Sequence, residues 1–196
     1  MFKRRLALGC PAVLLLVLLC VPAALAAEKK FKIKDGGKNE IAEVKLQDGG
    51  KWKLEMGGQT YSLEGGDNYK FKLPDGTAIK GKRKGDKLKM DRDGQLWLQI
   101  KFDSDKIKVS PSGNETDTWS LKIKGDKIKV VKGQTELGDM KYKDGQVKAK
   151  DTAGKTLASL KGLKKVTAAL SSFVIGEALP VEKRAFLILY FFAAGS

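Results

Sequence analysis

Lys80, Lys82, Arg83, Lys84, Lys87 and Lys89 place six cations within ten residues, the densest basic run in a chain with 38 Lys and Arg against 23 Asp and Glu. Side chains leave a strand on alternate faces, so Lys82 and Lys84 share one face, and Lys87 and Lys89 continue it past the Gly85-Asp86 turn. Several ammonium groups would then meet a polyanion together, which is the chemistry of association with anionic lipid or acidic polysaccharide. Trp97 stands opposite in phase to Leu96, Leu98 and Ile100 and is expected on the exposed side, as an aromatic contact for lipid or sugar. The plain alternative for the whole run is a solubilising coat of lysine.

Composition narrows the other chemistries. The 196 residues include no His, which removes imidazole ligands and every His-dependent dyad. The two cysteines, Cys10 and Cys20, both fall in the first 26 residues, so a chain trimmed there forms neither a disulfide nor a thiolate site. Gly76-Thr77-Ala78-Ile79-Lys80-Gly81-Lys82-Arg83 imitates a phosphate loop but ends on Arg where a Mg²⁺-binding hydroxyl is needed. Gly154-Lys155-Thr156 has that hydroxyl, with Ala149 where the leading Gly belongs. Asp91-Arg92-Asp93-Gly94 and Asp103-Ser104-Asp105 resemble fragments of a calcium loop, yet neither has Gly at the sixth position together with Glu at the twelfth; turn aspartates are the better reading. Asn114-Glu115-Thr116 is a glycosylation sequon. The expectation is a non-enzymatic protein with no cofactor, no metal, no nucleotide and no nucleic-acid partner. A hydrolase with a Ser-Lys or carboxylate site stays open as an alternative, because it needs no recognisable signature.

The elements that must position the lysines are written in the alternation. Lys30-Phe31-Lys32-Ile33-Lys34, Lys51-Trp52-Lys53-Leu54, Lys70-Phe71-Lys72-Leu73, Lys106-Ile107-Lys108-Val109 and Leu121-Lys122-Ile123-Lys124 have period two, the signature of half-buried strands. One dry side then holds Phe31, Ile33, Leu54, Phe71, Leu73, Ile107, Val109, Leu121 and Ile123, while the lysines face water. Trp52, Tyr61, Phe102, Trp119 and Tyr142 agree in phase with their apolar neighbours and belong to the same core. Asp-Gly, Gly-Gly and Gly-Asp pairs separate the runs, and Gly, Asn and Asp tolerate the positive φ of tight hairpin turns. The fold expected is mainly β, an antiparallel meander of about 12–14 short strands over residues 27–162, rolled into a barrel because an open sheet would leave its apolar face wet. A motif recurs at Gly85-Asp86-Lys87-Leu88-Lys89-Met90, Ser104-Asp105-Lys106-Ile107-Lys108-Val109 and Gly125-Asp126-Lys127-Ile128-Lys129-Val130, one hairpin per repeat.

Both ends differ from this text. Residues 1–26 run from Lys3-Arg4-Arg5 through an apolar stretch to Ala24-Leu25-Ala26, the order of a secretory signal peptide, and predict an exported protein, periplasmic or extracellular after cleavage. A retained membrane anchor is the alternative. A lipoprotein signal at Cys20 fits poorly, because Leu19 stands where a small residue is preferred. Without this segment the chain keeps 35 basic and 23 acidic side chains, so residues 27–196 form one strongly basic domain.

Residues 163–196 read as two helices broken at Leu179-Pro180. The first is apolar on one side through Val166, Ala169, Leu170, Phe173 and Val174. The second is apolar all round from Ala185 to Ala194, about 15 Å at ~1.5 Å per residue and half of a ~30 Å bilayer core, so it must be enclosed by protein. Twelve strands close into a cylinder roughly 24 Å across, which leaves room for one helix. The last helix is therefore expected to fill the barrel through Phe186, Leu187, Leu189, Tyr190 and Phe192, with Glu177, Glu182, Lys183 and Arg184 at the mouth and the first helix crossing it as a lid. The rival expectation is a structural or assembly component that docks into a protein partner through this apolar hairpin.

About twelve antiparallel strands around a hydrophobic helix near the C-terminus, the order of elements from Lys29 to Ala194, resembles the Tubby-like group with its LURP-one and scramblase-type domains. The resemblance implies contact with phosphoinositides or membrane lipid and carries no binding residue onto a numbered position here.

Overall fold

The computed structural model describes residues 29–162 and 164–195; the segment read as a signal peptide lies outside the described residues. The alternating runs form fourteen strands: β1 (Lys29–Lys34), β2 (Glu40–Leu46), β3 (Trp52–Met56), β4 (Gln59–Glu64), β5 (Asn68–Lys72), β6 (Ala78–Lys84), β7 (Lys87–Arg92), β8 (Gln95–Phe102), β9 (Lys106–Ser110), β10 (Trp119–Lys124), β11 (Lys127–Lys132), β12 (Thr135–Lys143), β13 (Gln146–Asp151) and β14 (Thr156–Lys161). Each pairs antiparallel with its neighbours in sequence. β1 pairs with β14 through Ile33 opposite Leu160 and Lys34 opposite Ser159, which closes the barrel and leaves no free edge. Turns are as tight as their composition demands. Asp93 and Gly94, at φ 54° and 77°, and Asp144 and Gly145, at 52° and 72°, have the paired positive φ that matches the twist of hairpin strands.

The inside is apolar and the outside is lysine. Ile33, Val44, Leu54, Phe71, Leu88, Ile100, Val109, Leu121 and Val130 are fully buried, and Trp52, Tyr61 and Trp119 are buried among them. Phe31, Phe102 and Tyr142 are partly buried against that core. Ile123 departs from the expected dry row: it is 37% exposed, at the turn end of the β10–β11 hairpin beside Lys164.

Four bulges recur on the strands that leave one end of the barrel. Ile33 faces Ala42 while Lys34 faces Glu40, Met90 faces Leu98 while Asp91 faces Leu96, Val130 faces Gly138 while Val131 faces Glu136, and Ala149 faces Ala158 while Lys150 faces Thr156. The extra residues are Ile41, Trp97, Leu137 and Leu157, and all four lie partly buried against the core. Each bulge adds one residue and bends its strand, so a side chain that strict alternation sends outward turns in.

A helical hairpin runs down the barrel and back. A 3-10 segment (Lys164–Leu170) begins beside Asp126 at one end, leads into the short helix α1 (Ser171–Ile175), and reaches the other end at Gly176–Ala178. Helix α2 (Val181–Gly195) then returns, burying all eight residues from Ala185 to Phe192. Its aromatic rings meet the wall along their length: Phe186 lies 5.4 Å from Phe71, Tyr190 5.5 Å from Tyr69, and Phe192 5.1 Å from Phe31 and 5.7 Å from Trp52, between ring centres. The last helix fills the barrel as expected.

The first helix does not cross the mouth as a lid. It lies inside against β11 to β14, with Val166, Ala169, Leu170 and Val174 buried. Two causes give it room. Fourteen strands close at roughly 28 Å, about 4 Å wider than twelve. The facing wall is also small, with Ala149, Ala158 and Gly138; a Cβ on Gly138, at φ 155°, would sit 2.1 Å from the Lys150 carbonyl oxygen and 3.0 Å from Val174 Cγ1.

Candidate anion-binding face

Lys80, Lys82, Lys84, Lys87 and Lys89 alternate with Ile79, Leu88 and Met90, and because the latter are buried the lysines point into water. Pairing brings them together. Lys82 stands opposite Lys89, Lys84 opposite Lys87, and Lys80 opposite Lys70 of β5. Among the described residues none of these six lysines has an ion-pair partner, whereas elsewhere on the barrel Lys32 pairs with Glu40, Lys127 with Asp139 and Lys132 with Asp117. Like charges directly across a sheet repel, so the Lys82–Lys89 and Lys84–Lys87 pairs sit at an electrostatic cost that a bound anion would offset, whereas Lys80 also faces Asp91 and Lys70 faces Glu64. Between β5, β6 and β7 the surface sinks into an open groove of about 450 Å³, floored at Gly81 and bordered by Asn68, Lys70, Lys80, Lys82 and Asp91.

Arg83 does not join the array. It shares the inward phase of Ile79 and Gly81, and at the rim of the barrel its guanidinium lies 4.7 Å from the centre of the Phe102 ring, while Nε donates to the Gly85 carbonyl at 3.3 Å. Nor is Trp97 an exposed contact. The bulge at Met90–Asp91 turns it inward, 5.8 Å from both Phe71 and Phe186. Its polar neighbour is Lys183, whose Nζ stands 5.5 Å above the indole and donates to the Pro111 carbonyl at 2.6 Å. Burial pushes the Lys183 ammonium below the ordinary lysine range. Lys183 thus ties α2 to the β9–β10 loop, as expected of the hairpin bend at a mouth; Glu177 is exposed there, and Glu182 and Arg184 are half-buried.

The expected core residues Phe186, Leu187, Leu189, Tyr190 and Phe192 are all fully buried. Burial also raises the Tyr190 hydroxyl well above the ordinary phenol range. The segment that imitates a phosphate loop, Gly76 to Arg83, passes from a turn into β6, and Gly154-Lys155-Thr156 passes from a turn into β14, so neither opens a helix whose N-terminus would receive a phosphate. Asp93 and Asp103 lie in hairpin turns, and the described residues contain no group of three acidic side chains placed to hold a metal.

Sequence alternation missed the continuation of the lysine array. Lys87 stands opposite Lys101, Lys101 opposite Lys108, and Lys108 opposite Ser120, while Lys89 stands opposite Gln99 and Gln99 opposite Ser110. The signal was present in the recurring Asp-Lys-apolar-Lys hairpins, but only the register aligns them into rows. No family model matches this chain, nor does any curated protein or solved structure.

Proposed function

We propose that this chain is an exported, non-enzymatic β-barrel that associates with anionic envelope material, lipid head groups or acidic polysaccharide, through the outward lysines of β5 to β9. The observation that carries this reading is the set of Lys82, Lys84, Lys87 and Lys89, opposed to one another across β6 and β7 with neither an ion pair nor an acid directly opposite among the described residues. Export rests on the order of residues 1–26, and the lipid contact implied by the Tubby-like resemblance is compatible with it. Association is at a surface: outward positions carry ammonium groups in place of the apolar band a lipid-facing barrel needs, and no helix of the described residues is long and apolar enough to cross a membrane. Docking through the apolar hairpin would require α2 to leave the barrel and expose eight buried residues, so the lysine face is the better supported contact.

The test is co-sedimentation with phosphatidylglycerol vesicles and with alginate beads across a salt series. Binding to at least one should fall steeply between low salt and ~0.5 M, where screening extends to about 4 Å. Reversing Lys82, Lys84, Lys87 and Lys89 to Glu should weaken it roughly 30-fold, at ~0.5 kcal/mol for each exposed charge. Binding that survives both high salt and reversal would overturn the electrostatic reading.

A further inference from the structure

The lysine rows end in a different kind of surface. Beyond Lys101 and Lys108, strands β8 to β10 and the loop after Ser110 enclose a groove of about 450 Å³ whose border includes Gln99, Ser110, Thr116, Thr118 and Ser120. Two of these hydroxyls are spoken for: Ser110 Oγ and Thr118 Oγ1 lie 2.5 Å apart, and each is 3.1 Å from the Asn114 carbonyl oxygen. The side chains of Gln99, Thr116 and Ser120 have no partner among the described residues. Neutral donors and acceptors thus stand beside ammonium groups, with Ser120 opposite Lys108 and Gln99 opposite Lys89. A ligand with hydroxyls and acidic groups alternating along its length satisfies both kinds; a ligand of charge alone leaves the amide and hydroxyls unused.

Curvature decides between a sheet of charge and a chain of charge. In a closed wall of fourteen strands the outward direction turns by about 26° per strand, so β6 and β10 point roughly 100° apart. A flat bilayer cannot touch Lys84 and Ser120 together, whereas a polymer lying across the strands can. Adjacent strands are ~4.8 Å apart at the backbone and their outward lysine ends are spread further by the curvature, so acidic groups along a polymer would meet Lys84, Lys87, Lys101 and Lys108 in turn. Lys101 is also held by Asp86 at 3.8 Å and Asp103 at 3.5 Å, which makes it the weakest rung.

We infer that the anionic partner is an acidic polysaccharide, running across β6 to β10 and seating its hydroxyls in the groove of Gln99, Thr116 and Ser120. The inference rests on the electrostatic reading above and narrows it. Affinity is measured by calorimetry for three probes: alginate, polyphosphate of matched charge, and phosphatidylglycerol vesicles, each with the wild type and with the Gln99→Ala/Ser120→Ala double variant. Alginate should bind tightest and lose about tenfold in the double variant, at ~0.7 kcal/mol for each lost hydrogen bond, while polyphosphate changes by less than about twofold. Ser120→Thr, which keeps the hydroxyl, should retain most of the alginate affinity. Equal binding of all three probes with no effect of the variant would overturn the polysaccharide and leave the electrostatic reading standing. Vesicles binding in preference to alginate would do the same, and failure of every probe would overturn both.

Discussion

Two sectors of one barrel wall use lysine in opposite ways. On β1 to β4 lysines are matched by acids: Lys32 to Glu40 at 2.9 Å, Lys45 to Glu43 at 2.5 Å and to Glu55 at 3.2 Å, and Lys53 to Glu55 at 2.9 Å. On β6 and β7 Lys82, Lys84, Lys87 and Lys89 face one another, with neither an ion pair nor an acid directly opposite among the described residues. Backbone, turn chemistry and inward residues are the same in kind, so the contrast lies in outward residues alone. The matched sector contributes to holding the barrel, and the unmatched one presents its charge to solvent.

The largest effect expected tests whether both sectors share one support. Phe186→Ala removes a ring in contact with Phe71 and Trp97, and should cost ~3–5 kcal/mol in chemical denaturation, with amide protection falling in β2 and β6 together. Loss confined to β5–β8 would mean the sectors are supported separately. Next comes Lys45→Ala, which breaks two ion pairs and should lower the denaturation midpoint by a small amount while leaving polyanion binding unchanged. Lys89→Glu should have the opposite sign: it gives Lys82 an acid directly across the sheet, raising stability by ~0.5 kcal/mol and weakening polyanion binding. A fall in stability there would show that the unmatched lysines are structurally required.

Acid should separate the sectors more gently. A hydrogen bond from Lys45 holds the Glu43 carboxyl below the ordinary range, and Lys53 followed by Lys45 does the same for Glu55. A carboxyl depressed in the folded state stabilises at neutral pH and loses that contribution as pH falls below about 4. Hydrogen exchange at about pH 3 should therefore loosen β2 and β3 ahead of β6 and β7, whose outward lysines are not ion-paired among the described residues. Uniform loosening would place the acid sensitivity elsewhere.

Alternation, hairpin turns and an all-round apolar final helix made the wall and its filling legible, because each is a local pattern with one physical solution. Arg83 was also readable, since it stands out of phase with Lys82 and Lys84; charge density alone conceals that. Trp97 was not readable. Its direction depends on a bulge, and a bulge is a property of two strands, although adjacent apolar pairs such as Ile41-Ala42 and Leu157-Ala158 mark the positions where alternation breaks. The place of the first helix followed from strand number, since two added strands turn a lumen for one helix into a lumen for two. The hydroxyl groove follows from register, which places Gln99 beside Ser110 across a stretch of chain with no local signal.

The seam between β1 and β14 sets an order of events for biosynthesis. Residues 29–34 have one permanent neighbour in β2 and must wait for residues 156–161 before gaining the other, and the helical hairpin that the fourteen strands enclose comes from residues 164–195. Contacts of such long sequence separation form late and slowly. Single hairpins can pair as soon as both of their strands exist, but the barrel closes and fills only once nearly the whole chain is available.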